Sequence, residues 1–120
     1  MVVASVATGA AMGSASGTKS IIRQAAQLYG TDPDRVYVAG HSMGGFATST
    51  TAQRLTDLVA AAVCFAGGTF DASLPCVPTL VLAGDVDPLI PGSRLRLDVD
   101  KAVRTGGLPL TFRKIGRAHV

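Results

Sequence analysis

The chain predicts an α/β domain, a mainly parallel sheet of about four strands with helices on both faces. Three observations carry that prediction. Residues 59–65 (VAAAVCF) and 79–83 (TLVLA) are apolar throughout, as strands buried inside a parallel sheet are. Around them lie segments whose apolar residues recur at helical spacing. The order helix, strand, helix, strand, loop, strand, helix, strand joins strand to strand by crossovers, mostly helical, rather than by hairpins.

Residues 1–17 show no clear period. A helix is predicted over 19–29, where Ile21, Ile22, Ala25, Leu28 and Tyr29 share one face. Ser16 or Thr18 would supply its N-terminal cap, and Gly30 would end it. Gly17-Thr18-Lys19-Ser20 looks at first like a phosphate loop. Thr18 separates Gly17 from the lysine, however, and no good strand precedes it, so no nucleotide site is expected.

Thr31-Asp32-Pro33-Asp34 is a turn into a strand over 35–39. A helix over 43–55 follows, then the strand 59–65 and a loop to Pro78 too short to hold a cap domain. The strand 79–83 ends at Gly84. Leu95, Val99, Ala102 and Val103 mark a helix over 93–104, stopped by Gly106-Gly107. Leu108, Leu110 and Phe112 alternate with Pro109, Thr111 and Arg113 in a last strand whose one face is the more buried. Neither repeat nor linker is visible, and residues 1–120 read as a single domain.

Composition narrows the function. An apolar share of 48% against 16% charged residues suits a globular domain. The net charge of +3 is scattered and aromatic content is 5%, so neither a basic patch nor a stacking platform marks a nucleic-acid partner. No apolar run reaches the roughly 18 residues of a membrane span. The apolar N-terminus lacks a positively charged start and is interrupted by Gly9 and Gly13, which argues against a signal peptide. Cys64 and Cys76 are placed at opposite ends of the sheet and read as two structural thiols. No cluster of His, Cys or carboxylate has metal-ligand spacing, so no metal and no cofactor are expected.

The chemistry concentrates at Gly40-His41-Ser42-Met43-Gly44, a Gly-x-Ser-x-Gly pattern between a predicted strand and a predicted helix. A turn that sharp strains the serine backbone and lifts its hydroxyl to the apex. Side chains at Gly40 or Gly44 are expected to collide with neighbouring backbone. The Met43 N–H, at a helix N-terminus, would face a developing oxyanion. This strand–turn–helix resembles the nucleophile elbow of the α/β-hydrolase superfamily. Residues 32–45 (DPDRVYVAGHSMGG) look most like esterases related to polyhydroxybutyrate depolymerases and like prolyl-oligopeptidase-type hydrolases.

The resemblance implies a partial α/β-hydrolase fold, the later half, with 18–114 family-like. It also implies a Ser-His-Asp triad acting on a small or polymeric ester through an acyl-enzyme. Gly84-Asp85-Val86-Asp87-Pro88-Leu89-Ile90-Pro91 resembles the family's acid loop and places the triad acid on Asp87, with Asp85 structural. The bland alternative for Asp87 is a turn carboxylate satisfied by nearby amides. His41 adjoins Ser42 and cannot fold back onto it as the base. His119 has the family's chain order, Ser42, Asp87, His119. Against it, the last six residues, Ile-Gly-Arg-Ala-His-Val, are what a common sequencing adapter encodes in one frame. Residues 115–120 are therefore expected to be adapter read-through, with the native histidine a few residues past the truncation.

Two expectations follow. The resemblance implies earlier strands and a second oxyanion loop that nothing before Ser42 supplies, so the strand leading to Ser42 should lie at an exposed sheet edge, a template for aggregation. The 120-residue chain itself should be inactive. The alternatives are a prolyl-oligopeptidase-type peptidase and a non-catalytic relative.

Overall fold

The computed structural model describes residues 15–116. Its order is α1 (Ala15–Tyr29), β1 (Tyr37–His41), α2 (Met43–Arg54), β2 (Ala61–Phe65), β3 (Thr79–Gly84), α3 (Gly92–Gly106) and β4 (Leu110–Ile115). The strands form one parallel sheet in chain order, β1-β2-β3-β4. β1 is an edge among the described residues, as the sequence led us to expect.

The strand over 79–83 is found as predicted, extended by Gly84, while the other three are displaced slightly for local reasons. β1 starts two residues late because the Arg35 N–H is bound to the Asp32 carbonyl (3.1 Å) and closes the turn. β2 also starts late, because the N–H groups of Leu58 and Val59 both donate to the Leu55 carbonyl (3.0 Å each). β4 runs on to Ile115, which pairs with Gly84 and thus brings the first residue of the suspected read-through into the sheet.

Register shows which face the helices cover. Val38, Ala62, Thr79 and Leu110 are successive partners across the sheet, as are Gly40, Cys64, Val81 and Phe112. In a parallel sheet such partners point to the same side. On that side Ala52 of α2 packs with Ala62, Val38 and Ile22 of α1, while Leu95 and Val99 of α3 pack with Val81, Ala83 and Phe112. All three described helices therefore lie on one face. The expectation of helices on both faces is met on this one only. The other side carries Tyr37, Ala39 and His41, all exposed, and Ala61, Val63, Phe65, Leu80 and Leu82, all half-buried.

The burial pattern iterates accordingly. Ala62, Cys64, Val81 and Ala83 are almost fully buried, while their neighbours on each strand are not. Continuous apolar strands thus sit in a sheet whose second face is less covered.

The first helix departs from its reading at both ends. Ser16 and Thr18 lie inside α1 rather than at its cap, and the Thr18 hydroxyl is buried without a hydrogen-bond partner. Ile22 packs on the core, but Leu28 and Tyr29 are exposed, so the apolar face is shorter than its period suggests. Gly30 ends the helix as expected, with φ 59° and its N–H on the Ala26 carbonyl (2.9 Å). Gly107 does the same for α3, at φ 65°.

Both cysteines are free, in keeping with structural thiols, but Cys76 lies close enough to Cys64 to act on its thiol, which corrects their expected placement at opposite ends of the sheet. Burial, and secondarily the nearby Cys76, pushes the Cys64 thiol up to about 12. The folded protein therefore holds a proton that the unfolded chain releases above its ordinary thiol range. Stability from this source is complete below pH ~9 and is lost as pH rises towards 12. Alkaline unfolding curves should show that decline, and Cys64→Ala should flatten it. Iodoacetamide should leave native Cys64 unmodified at pH 8.

Candidate active site

Ser42 stands between β1 and α2 with no residue to spare. His41 is the last residue of β1 and Met43 the first of α2. The chain must therefore reverse its course within one residue, and Ser42 takes φ 56° and ψ −112° to do so. A non-glycine residue there stores about 1–3 kcal/mol of backbone strain. Three hydrogen bonds hold it. The Ser42 N–H donates to the Phe65 carbonyl at the end of β2 (2.8 Å), and the Ser42 carbonyl accepts from the N–H groups of Gly45 (2.9 Å) and Phe46 (3.3 Å). The N–H groups of Met43 and Gly44 precede any carbonyl that a helix could offer them, so they are directed at whatever occupies the helix N-terminus.

The glycines divide differently from the expectation. A Cβ at Gly40 would fall on the Gly44 carbonyl, so the turn does require glycine there. At Gly44, a Cβ would meet nothing within 4 Å. The expected collision at Gly44 is thus corrected. The close approach belongs to Gly45, whose Cβ would lie 2.6 Å from the Gly67 carbonyl oxygen. The reason is directional: Gly44 offers its carbonyl to the Gly40 approach, while Gly45 faces the strand-end loop of β2.

The sequence marked that loop as a connection to Pro78 but not its contact with Ser42. Ala66, at the C-terminal end of β2, is buried with φ 54°, and a Cβ on the next residue, Gly67, would lie 2.5 Å from the Ser42 carbonyl oxygen. Two polar side chains of α2 grip the loop. Ser49, fully buried, accepts from the Thr69 N–H (3.0 Å) and donates to the Phe46 carbonyl (2.8 Å). Gln53 donates to the Asp71 carbonyl (2.8 Å) and accepts from the Asp71 N–H (2.9 Å). The Asp71 carboxylate in turn caps Ser73, whose hydroxyl and N–H hold it below the usual carboxylate range. The signal in the sequence is the i, i+4 spacing of Ser49 and Gln53 on a helix, which is silent about a partner twenty residues away.

Asp87 follows β3 and is 6% exposed. Its Oδ1 accepts from the N–H groups of Leu89 (2.9 Å) and Ile90 (3.0 Å), so the turn role weighed for it is present in the structure. Asp85 is exposed and pairs with Lys114 (3.0 Å), tying β3 to β4. A cavity of about 280 Å³ opens beside Asp87, lined by Pro91, Ser93, Arg96, Phe112 and Lys114.

Because β1, β2 and β3 are parallel, Ser42, the 66–71 loop and the Asp87 loop all emerge at one edge of the sheet. Strands two apart are separated by about 10 Å, which sets the scale between the Ser42 and Asp87 loops. His41 is exposed, on the sheet face away from α2. His119 lies outside the described residues. Among the described residues no group of three His, Cys, Asp or Glu could hold a metal ion, and no helix is long and apolar enough to cross a membrane.

The comparisons agree with this geometry. Residues 17–73 match the prolyl oligopeptidase family model. A thermostable esterase superposes with a TM-score of 0.69 at 28% identity over 85% of this chain. The S-formylglutathione hydrolase of Staphylococcus aureus gives 0.71 at 19% identity over 88%, and the Bacillus cereus carboxylesterase 0.67 at 14% over 88%. The chain spans 28% of the first of these proteins, 53% of the second and 52% of the third. No curated protein matches it. With four parallel strands, three helices on their common face and a strained serine at the first strand end, all among the described residues, the chain carries part of the α/β-hydrolase fold that these relatives share.

Proposed function

We propose that the protein carrying this segment is a serine hydrolase of carboxylic esters, with Ser42 as nucleophile. The observation that carries the reading is the Ser42 backbone at φ 56° on a one-residue strand-to-helix turn, the geometry of a nucleophile elbow. The Ser42 hydroxyl oxygen adds to the ester carbonyl carbon while an imidazole takes its proton. The carbonyl π pair moves onto oxygen, where the Met43 N–H and the α2 N-terminus stabilise it. Collapse expels the alcohol, which receives the proton from the imidazolium, and water repeats the sequence to release the acid.

Asp87 orients that imidazole. The Leu89 and Ile90 amides that bind Oδ1 fix the carboxylate in place, which suits an orienting role. Large apolar side chains, Met43, Phe46, Val86 and Leu89, are exposed around the two loops and suit the apolar parts of an ester. The thermostable esterase and the carboxylesterase among the structural relatives favour ester chemistry. The prolyl oligopeptidase match over 17–73 favours a peptidase as the second reading.

The test is a fluorophosphonate probe on the full-length polypeptide that carries this segment. Labelling at Ser42 is expected, and labelling elsewhere or nowhere would sink the reading. Hydrolysis of p-nitrophenyl esters over prolyl p-nitroanilides separates the esterase from the peptidase. Asp87→Asn should lower kcat by roughly 10⁴ while the fold survives, because an amide oxygen still accepts from Leu89 and Ile90. The 120-residue chain alone should show no esterase activity, since the one histidine among the described residues, His41, sits on the far face of the sheet.

A further inference from the structure

We infer that Ser49 and Gln53 are positioning residues that set the geometry of Ser42 through the 66–71 loop. The inference rests on the serine-hydrolase reading of Ser42. The loop is clamped at two points, Thr69 by Ser49 and Asp71 by the two-way bond of Gln53. Both side chains are buried polar groups, Ser49 completely, so the bonds to the exposed residues Thr69 and Asp71 are shielded from water on the helix side.

Between the clamps and Ser42 the contacts are rigid. Gly67 abuts the Ser42 carbonyl, its own carbonyl abuts Gly45, and the Phe46 ring lies 3.2 Å from the Cβ position of Gly67. Ala66, itself held at positive φ, lies between the two residues that meet the strained Ser42, Phe65 through its carbonyl and Gly67 through its close approach. A turn at φ 56° persists only while its surroundings over-determine it. If the loop is released, Ser42 can relax, and its hydroxyl and the Met43 N–H move off the reacting carbonyl together. Of the apolar side chains proposed to meet the ester, Phe46 touches the loop, while Met43, Val86 and Leu89 belong to other segments. The effect therefore falls chiefly on kcat, with KM changing little.

The experiment uses the full-length polypeptide. Active sites are titrated with a fluorophosphonate, and kcat per titrated site and KM are measured on a p-nitrophenyl ester. Gln53→Met removes both bonds at nearly constant volume and should lower kcat per site by roughly ten- to hundredfold with KM little changed. Gln53→Glu keeps the acceptor for the Asp71 N–H and should fall between. Unchanged kcat per site, with only a lower melting temperature, would overturn the inference and leave the clamp as fold support. If Gln53→Met does not fold, Gln53→Glu and Ser49→Ala decide the same quantity. If the wild-type protein is not titrated at Ser42, the serine-hydrolase reading itself fails, and this role with it.

Discussion

Replacing Ser42 by alanine in the full-length polypeptide should reduce kcat on esters by roughly 10⁶ and abolish fluorophosphonate labelling. The size follows from the proposed role of the hydroxyl: in that mechanism no acyl-enzyme forms without Oγ, and only the binding surfaces and oxyanion donors are left. A second substitution separates chemistry from strain. Ser42→Gly also removes the hydroxyl, but glycine occupies φ 56° without steric cost. It should be as inactive as Ser42→Ala and more stable by about 1 kcal/mol, read from chemical unfolding. Equal stability of the two variants would mean that the strain is not stored at Ser42.

Gly40→Ala should be severely damaging. The added methyl would coincide with the Gly44 carbonyl and crowd the Thr48 hydroxyl, both on α2. Neither can yield without moving the helix off β1, a cost of about 3 kcal/mol or more, enough to unfold a marginal domain. Gly44→Ala is the control. Its methyl meets open space, and alanine in a helix is favoured over glycine by up to about 1 kcal/mol. Circular dichroism and thermal melts on the two variants should give a folding defect for the first and none for the second. The reverse result would show that the β1–α2 turn is built differently.

The sequence made the alternation of strands and helices legible because it rests on period and punctuation, which are local. Gly30 and Gly107 end helices where helical spacing runs out. Ser42 was legible for the same reason, through the glycine at position 40 and the strand before it. What was not legible depends on partners remote in sequence. Gly45 is required by the Gly67 carbonyl, and Ser49 and Gln53 by backbone groups at Thr69 and Asp71. A serine or glutamine in a helix reads as solvated until its acceptor is known. The sidedness of the sheet was hidden too. Residues 59–65 and 79–83 are apolar at every position, so nothing in them distinguishes the helix-covered face from the other. The reach of α1 was over-read, since Leu28 and Tyr29 keep the helical period past the point where α2 is there to receive them.

Strand order equals chain order here, and this shapes how the site is assembled during synthesis. Each strand docks on one already made, so the sheet can grow vectorially from β1 to β4, with modest loop closure at each step. Yet the Ser42 N–H finds its acceptor at Phe65, and the loop that wedges Gly67 against the turn follows that residue. Ser42 is translated early and acquires its geometry late. A nascent chain that exposes β1 and α2 but still holds β2 in the ribosome carries Ser42 as an ordinary serine, and only the arrival of the second strand cocks it.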